Sequence, residues 1–214
     1  MADSAEANTT EGVSLDELTR FTPPIVFREM RASDTSFPLQ DAYQDNRWAA
    51  VLFLDISGFT ALTERLASEG PDGTEELTII LNQHFTELVD LVNVWGGEVV
   101  AYAGDAFAAI FPGPQGEIRL SAQIRRNIVE LAAHCALAMQ GARVRMEQAT
   151  GAHLEFKIGL GSGPIRLCHL GGLEGKWNLL LKGPGFAEAV FAEGSAKPGD
   201  TIIAPNTIEW LEGD

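Results

Sequence analysis

The most constraining feature of the sequence is a nearly continuous apolar run at residues 48–56 (WAAVLFLDI). Such a run is typical of a β-strand that is buried on both faces, because a strand with one face in water alternates apolar and polar residues. Its one charged residue, Asp55, lies near the C-terminal end, and Ser57-Gly58-Phe59-Thr60 follows as a tight turn into a helix. We therefore expect a sheet that is covered on both sides, with a carboxylate near the end of a buried strand.

Further elements follow from apolar spacing and turn residues. A long helix is expected to begin at Thr74, which can cap it, and others cover residues 117–140, 185–193 and 205–211. Strands are predicted at residues 98–103, 106–111, 154–160, 165–170, 177–181 and 201–204. The order of strand, helix, strand, strand, helix and strand, with additions, predicts an α+β fold with a ferredoxin-like βαββαβ core.

Two turns and two helix faces belong to this prediction. Gly104-Asp105 is expected to be the two-residue loop of a hairpin, and Ser162-Gly163-Pro164 is expected to join a second pair of strands. Apolar residues at helical spacing predict the buried faces of the two longest helices. These residues are Leu77, Leu81, Phe85, Leu88 and Val92 in the first helix, and Ile124, Ile128, Leu131, Cys135 and Leu137 in the second.

The globular domain is predicted to cover residues 47–214. Residues 1–13 are small, polar and acidic, which indicates a disordered tail. Residues 14–46 form a lead-in, in which Ser14 and Glu17 make a capping-box pattern at the start of a short helix.

Charge and composition exclude several classes of protein. The formal net charge is -15, whereas a nucleic-acid-binding protein needs a basic face to replace the counterions of phosphates. No apolar run reaches the roughly 20 residues of a membrane span, and the N-terminus lacks the basic and apolar stretches of a signal peptide. The two cysteines, Cys135 and Cys168, lie in apolar surroundings and are typical of reduced core residues. We therefore expect a cytoplasmic protein that binds no nucleic acid.

Asp55 and Asp105 are the candidate chemical residues, because each carboxylate interrupts strongly apolar strands. Taken singly, Asp105 is as readily a turn former and Asp55 a helix cap. If their strands are neighbours, however, the two carboxylates repel each other unless a cation lies between them. Mg²⁺ suits such a site, since it takes oxygen ligands and leaves positions open for phosphates. The helix that starts after Ser57 offers free N–H groups, which favour a phosphate.

Three segments resemble the catalytic domain of class III adenylyl and guanylyl cyclases. They are residues 53–60 (FLDISGFT), 96–111 (GGEVVAYAGDAFAAIF) and 157–165 (KIGLGSGPI), and the resemblance covers roughly residues 47–212. The sequence is most similar to the first catalytic half of the bicarbonate-responsive soluble adenylyl cyclases and their bacterial relatives.

The resemblance implies a role for each matching residue. Asp55 and Asp105 match two aspartates that hold two Mg²⁺ ions, for which Mn²⁺ can substitute, and Ile56 matches a residue whose backbone carbonyl also contacts a metal. The remaining matches concern phosphate: Gly58, Phe59 and Thr60 at the turn that binds the terminal phosphates, and Lys157 at a basic contact to the polyphosphate. The implied reaction is a two-metal in-line displacement, in which the ribose 3′-hydroxyl attacks the α-phosphorus and pyrophosphate leaves.

Three positions depart from the family pattern. Ala101 replaces a purine-selecting residue, and Ala187 and Val190 replace an Asn and an Arg that contact the ribose and stabilise the transition state. Ala and Val offer neither a hydrogen bond nor a charge. The resemblance therefore implies a half-domain that a second cyclase domain completes, with ATP expected ahead of GTP and no bicarbonate stimulation through Ala101 and Val190.

Two other hypotheses remain open from the sequence. One is an inactive cyclase-like regulatory or dimerisation module, although such a module has no need of both carboxylates. The other is a relative of the diguanylate cyclases, which share a palm-like core. Against it, the hairpin has Ala106 where a second acidic residue is expected.

Overall fold

A computed structural model describes residues 23–26, 43–171 and 177–212. The chain divides into two units, residues 1–37 and 38–214. In the first unit, residues 24–26 form a short helical turn. The predicted acidic tail and the helix expected from Ser14 lie outside the described residues.

The second unit alternates strands and helices. In chain order they are β1 (Tyr43–Ser57), α1 (Phe59–Ser68), α2 (Pro71–Val94), β2 (Glu98–Ala103), β3 (Ala106–Pro112), α3 (Ala122–Thr150), β4 (Glu155–Gly171), β5 (Trp177–Lys182), α4 (Pro184–Gly194), β6 (Thr201–Ile203) and α5 (Pro205–Glu212). This order confirms the predicted α+β fold with a βαββαβ core and additions. None of the described helices is long and apolar enough to cross a membrane.

The sheet has the strand order β2-β3-β1-β4-β5, and β6 pairs with β4 off this path. β1 lies in the middle, antiparallel to both β3 and β4. It is buried along residues 47–52, as expected of a strand covered on both faces. The hairpin predicted at Gly104-Asp105 joins β2 to β3, and Gly104 adopts the left-handed φ of 67° that such a turn requires.

One predicted connection is wrong. Residues 154–160 and 165–170 were expected to be two strands around Ser162-Gly163-Pro164, but they belong to one continuous strand, β4. β1 begins at Tyr43 rather than near Arg47, and its full length of 15 residues pairs with β4. Pro164, which has no N–H to donate, is exposed in a stretch that neither β5 nor β6 pairs with. The long partner strand therefore overrides the local turn signal.

The helices also differ from the predicted pattern. α2 begins at Pro71 after Gly70, so Thr74 lies inside the first turns and is not the cap. In α3, Ile128 and Cys135 are buried as predicted, but Ile124, Leu131 and Leu137 are exposed. The buried face of α3 is built mainly from small or flexible side chains: Ile128, Val129, Ala132, Cys135, Ala136, Met139, Ala142 and Met146. Small residues let the helix lie close to the sheet. A prediction that selects mainly the large apolar residues of the helix therefore misses this face.

α4 packs directly on β4 through glycines. Lys157, Gly159 and Gly161 lie on one face of the strand, because side chains alternate between faces. A Cβ atom at Gly159 would lie 2.0 Å from the Ala189 carbonyl oxygen, and one at Gly161 would lie 2.4 Å from the Ala189 nitrogen. The absence of side chains at both glycines therefore lets the helix backbone rest on the strand and fixes the end of α4 near Lys157.

Candidate active site

Asp55 and Asp105 lie at the same end of the sheet. Asp55 is near the end of β1, where its register partner on β3 is Ala106. Asp105 is the residue before Ala106, in the turn between β2 and β3. Both residues are partly exposed, so a ligand in solvent can reach them. The antiparallel pairing of β1 with β3 therefore brings the two carboxylates to one edge.

Lys157 is the register partner of Asp55 on the other side, on β4. Its Nζ lies 2.8 Å from Asp55 Oδ2 and 2.6 Å from Glu193 Oε1. The hydrogen bond to Asp55, followed by that to Glu193, raises the pKa of the Lys157 ammonium above its ordinary value, which outweighs the opposite effect of desolvation. A single ammonium thus bridges two carboxylates at the site.

Glu193 was not predicted from the sequence. It lies in the last turn of α4 and is 8% exposed, although glutamate is seldom buried without a partner. The sequence carries two weak signals for it. One is an acidic residue in a mostly apolar helix segment, a signal that Glu188 shares. The other is the pair of strand glycines, Gly159 and Gly161, because strand glycines often mark close backbone approach.

The turn after Asp55 presents the N-terminus of α1. Gly58 is the residue that precedes this helix and has a left-handed φ of 93°, while Phe59 and Thr60 form its first turn. The first N–H groups of a helix have no acceptor within the helix, and no acidic residue lies in this first turn. The side chain of Ile56 is buried, so only its backbone can contribute to the site.

The three positions that are expected to depart from the family pattern lie on β2 and α4. Ala101 is half-buried on β2, and Ala187 and Val190 are exposed on α4. Phe191, one turn after Ala187, is 79% exposed and lines a groove with it. None of these four side chains has a polar group, so none of them can hydrogen-bond a ribose or stabilise a developing charge.

The described carboxylates can supply part of the coordination of Mg²⁺, and water or phosphates can supply the rest. Within the described ranges, no group of three or more His, Cys, Asp or Glu side chains could hold a metal ion. Mg²⁺ commonly binds through one or two carboxylates together with substrate phosphates. The Lys157 ammonium on Asp55 also shows that this position accepts a cation. The donor set therefore fits a metal whose remaining ligands are water or the oxygens of a polyphosphate.

Comparison with known proteins gives consistent matches. The sequence profile of the "Adenylate and Guanylate cyclase catalytic domain" family matches residues 42–213. The human protein "Adenylate cyclase type 10" is 31% identical over 172 residues, which is 79% of this chain and 10% of that protein. The chain thus spans about a tenth of the length of this curated relative. The family resemblance inferred from the three segments is confirmed.

Solved structures show the same fold. The adenylyl cyclase CyaB from P. aeruginosa has a TM-score of 0.64 at 23% identity, over 80% of this chain and 83% of that chain. The guanylate cyclase domain of RhGC from Catenaria anguillulae, in complex with GTP, has a TM-score of 0.64 at 25% identity, over 81% of this chain and 85% of that chain.

Proposed function

Because the chain belongs to the adenylate and guanylate cyclase catalytic domain family, we propose that it supplies the metal-binding half of a nucleotidyl cyclase site. The reaction converts a nucleoside triphosphate, ATP ahead of GTP, to a 3′,5′-cyclic nucleotide and pyrophosphate. One observation carries this proposal: Asp105 directly precedes the register partner of Asp55, so both carboxylates lie at one edge of the sheet.

Asp55, Asp105 and the backbone carbonyl of Ile56 would hold two Mg²⁺ ions, or Mn²⁺ in their place. When bound, these ions neutralise phosphate charge and make the ribose 3′-hydroxyl easier to deprotonate. The chain positions the polyphosphate with its own groups. The N–H groups after Gly58, at the start of α1, are available to bind an anion. The Lys157 ammonium can exchange a carboxylate for a phosphate oxygen.

A second cyclase domain would complete the site. Ala101, Ala187 and Val190 leave the purine, the ribose and the transition state without partners from this chain. Removing even one preorganised donor from such a site costs on the order of 10²–10³ in rate. We therefore propose that the isolated domain, or a symmetric pair of copies, has almost no turnover.

The proposal is tested by assaying the full-length protein with ATP and with GTP, in Mg²⁺ and in Mn²⁺, and identifying products by mass spectrometry. We expect a cyclic nucleotide, a loss of at least about a hundredfold in Asp105→Asn, and no change in Asp90→Asn, whose carboxylate is exposed on α2. Equal activity in Asp105→Asn and wild type would show that the metal site is misplaced.

A second candidate function is an inactive regulatory or dimerisation module of the same fold. The apolar, exposed surface around Ala187, Val190 and Phe191 favours it, because such a surface suits contact with another domain. The absence of any cyclic product from folded full-length protein, with either metal and either nucleotide, would support this alternative over the half-site.

A further inference from the structure

We propose that Glu193 is a positioning residue that sets the divalent-metal affinity of the site by sharing the Lys157 ammonium with Asp55. The inference rests on the proposed function, since it takes Asp55 and Asp105 as the metal ligands. It concerns a residue outside the predicted ligand set, on the same helix as the degenerate positions Ala187 and Val190.

The contact geometry is that of one cation between two anions. Lys157 Nζ donates a short, charge-assisted hydrogen bond to Glu193 Oε1 at 2.6 Å and forms an ion pair with Asp55 Oδ2 at 2.8 Å. The side chains of Lys157 and Asp55 are about a quarter exposed, and that of Glu193 is 10% exposed. The ammonium thus already occupies an oxygen of a proposed metal ligand.

The two carboxylates differ in how firmly they are held. Glu193 belongs to the turn of α4 that rests on β4, where a Cβ atom at Gly159 would lie 2.3 Å from the Glu193 nitrogen. This close packing fixes the backbone of Glu193, whereas Lys157 carries its charge on a flexible four-carbon stem. The ammonium can therefore leave Asp55 while it keeps its hydrogen bond to Glu193.

This arrangement bears directly on metal binding. A divalent cation on Asp55 repels the ammonium, so binding requires the Lys157–Asp55 contact to break. With Glu193 present, the ammonium retains one carboxylate partner after it leaves Asp55. Without Glu193, Asp55 is the only carboxylate among the described residues that pairs with the ammonium, and the competition against the metal becomes stronger.

The proposal predicts how three variants change the affinity for Mn²⁺. Glu193→Gln should weaken binding, by roughly fivefold to tenfold if one charge-assisted hydrogen bond is lost. Lys157→Met should strengthen binding, because it removes the competitor. In the Lys157→Met background, the additional change Glu193→Gln should have little effect, under about twofold, because its partner is gone.

The experiment measures Mn²⁺ binding to the full-length protein from the electron paramagnetic resonance signal of the free ion, without nucleotide. Asp105→Asn identifies the site, since its Mn²⁺ binding should be lost. Glu188→Gln is the matched control: Glu188 lies on the same helix but accepts a hydrogen bond from Asn206 at 2.7 Å, and we expect wild-type affinity. Circular dichroism verifies that each variant folds. If Glu193→Gln unfolds, Glu193→Asp replaces it, because aspartate keeps the charge on a side chain that is one methylene shorter.

The outcomes separate this inference from the proposed function. The three expected changes in Mn²⁺ affinity, together with a loss of Mn²⁺ binding in Asp105→Asn, support the inference and the proposed function. Two results would show that Glu193 does not act through Lys157: an unchanged Mn²⁺ affinity in Glu193→Gln, or an equal loss of affinity with and without Lys157. In either case the inference fails, while the metal site stands. If wild type binds no Mn²⁺, or Asp105→Asn binds it as wild type does, the metal site and the inference fail together.

Discussion

Lys157 and Asp55 are register partners on β4 and β1, and the lysine Nζ lies 2.8 Å from a carboxylate oxygen of the aspartate. The same ammonium also contacts Glu193, so removing it leaves two carboxylates close together with no cation between them. The pair therefore has a structural role that can be measured separately from catalysis.

We expect Lys157→Met to lower the free energy of unfolding by about 1 kcal/mol at low salt, and by less in 1 M NaCl, where the carboxylate repulsion is screened. Urea denaturation measures this, with Lys182→Met, an exposed lysine at the end of β5, as a control that should change little. The raised pKa of Lys157 means that its contribution is fully present below the pKa of an unfolded lysine, about 10.4, and is lost as pH rises through the folded value. An effect of Lys157→Met that disappears between pH 7 and 9 would contradict the ion pair.

Gly159 should tolerate no side chain. A Cβ atom there would overlap the backbone of α4 at Ala189 and Glu193, so Gly159→Ala must move the helix and should destabilise the domain by roughly 2–4 kcal/mol. Gly141→Ala is the control, because Gly141 lies inside α3 with no atom within 4 Å of an added Cβ. It should stabilise the protein by about 0.5–1 kcal/mol, since alanine favours helix. Chemical denaturation of both variants checks the opposite signs.

Gly58 should matter for nucleotide binding as well as for stability. Its φ of 93° is unfavourable for alanine, and the new Cβ would lie 3.3 Å from the His153 carbonyl oxygen. Gly58→Ala is thus expected to cost about 1 kcal/mol and to raise the KM for the nucleoside triphosphate in the full-length protein. Gly151→Ala, at the left-handed residue that ends α3, should cost similar stability without changing KM. A KM that moves equally in both variants would argue against a phosphate-binding turn.

Cys135 should be unreactive and should make stability depend on high pH. Burial raises the pKa of its thiol to about 12, from 9.0, so at pH 8 only about one thiol in ten thousand is ionised. The folded state therefore holds this proton more tightly than the unfolded state, and its contribution to stability falls as pH rises from about 9 towards about 12. Cys135→Ala should show a smaller fall over this range than wild type in urea titrations. Modification of Cys135 by iodoacetamide in the native state at pH 8 would contradict the buried thiol.

The two aspartates could be selected from the sequence as candidate residues, because each interrupts an apolar pattern within a few residues of its own position. Asp55 is the one charged residue in the apolar run at residues 48–56, and Asp105 occupies a hairpin whose Gly-Asp composition is a local signal. The same kind of local signal misled at Ser162-Gly163-Pro164, where turn-forming residues lie within β4. There the pairing with β1 continues through residues 155–169, and this long-range pairing outweighs local preference.

The sequence alone determined the βαββαβ order, the choice of Asp55 and Asp105 as candidate residues, and the lack of polar groups at Ala101, Ala187 and Val190. It could do so because strand burial, turn chemistry and side-chain type are local properties. Only the tertiary structure decided that Lys157 bridges Asp55 and Glu193 and that α3 buries its small residues. These outcomes depend on residues far apart in the chain, such as Lys157 and Glu193, which are separated by 36 positions and meet because of the close packing at Gly159. No periodicity within one element encodes which backbone will lie against it.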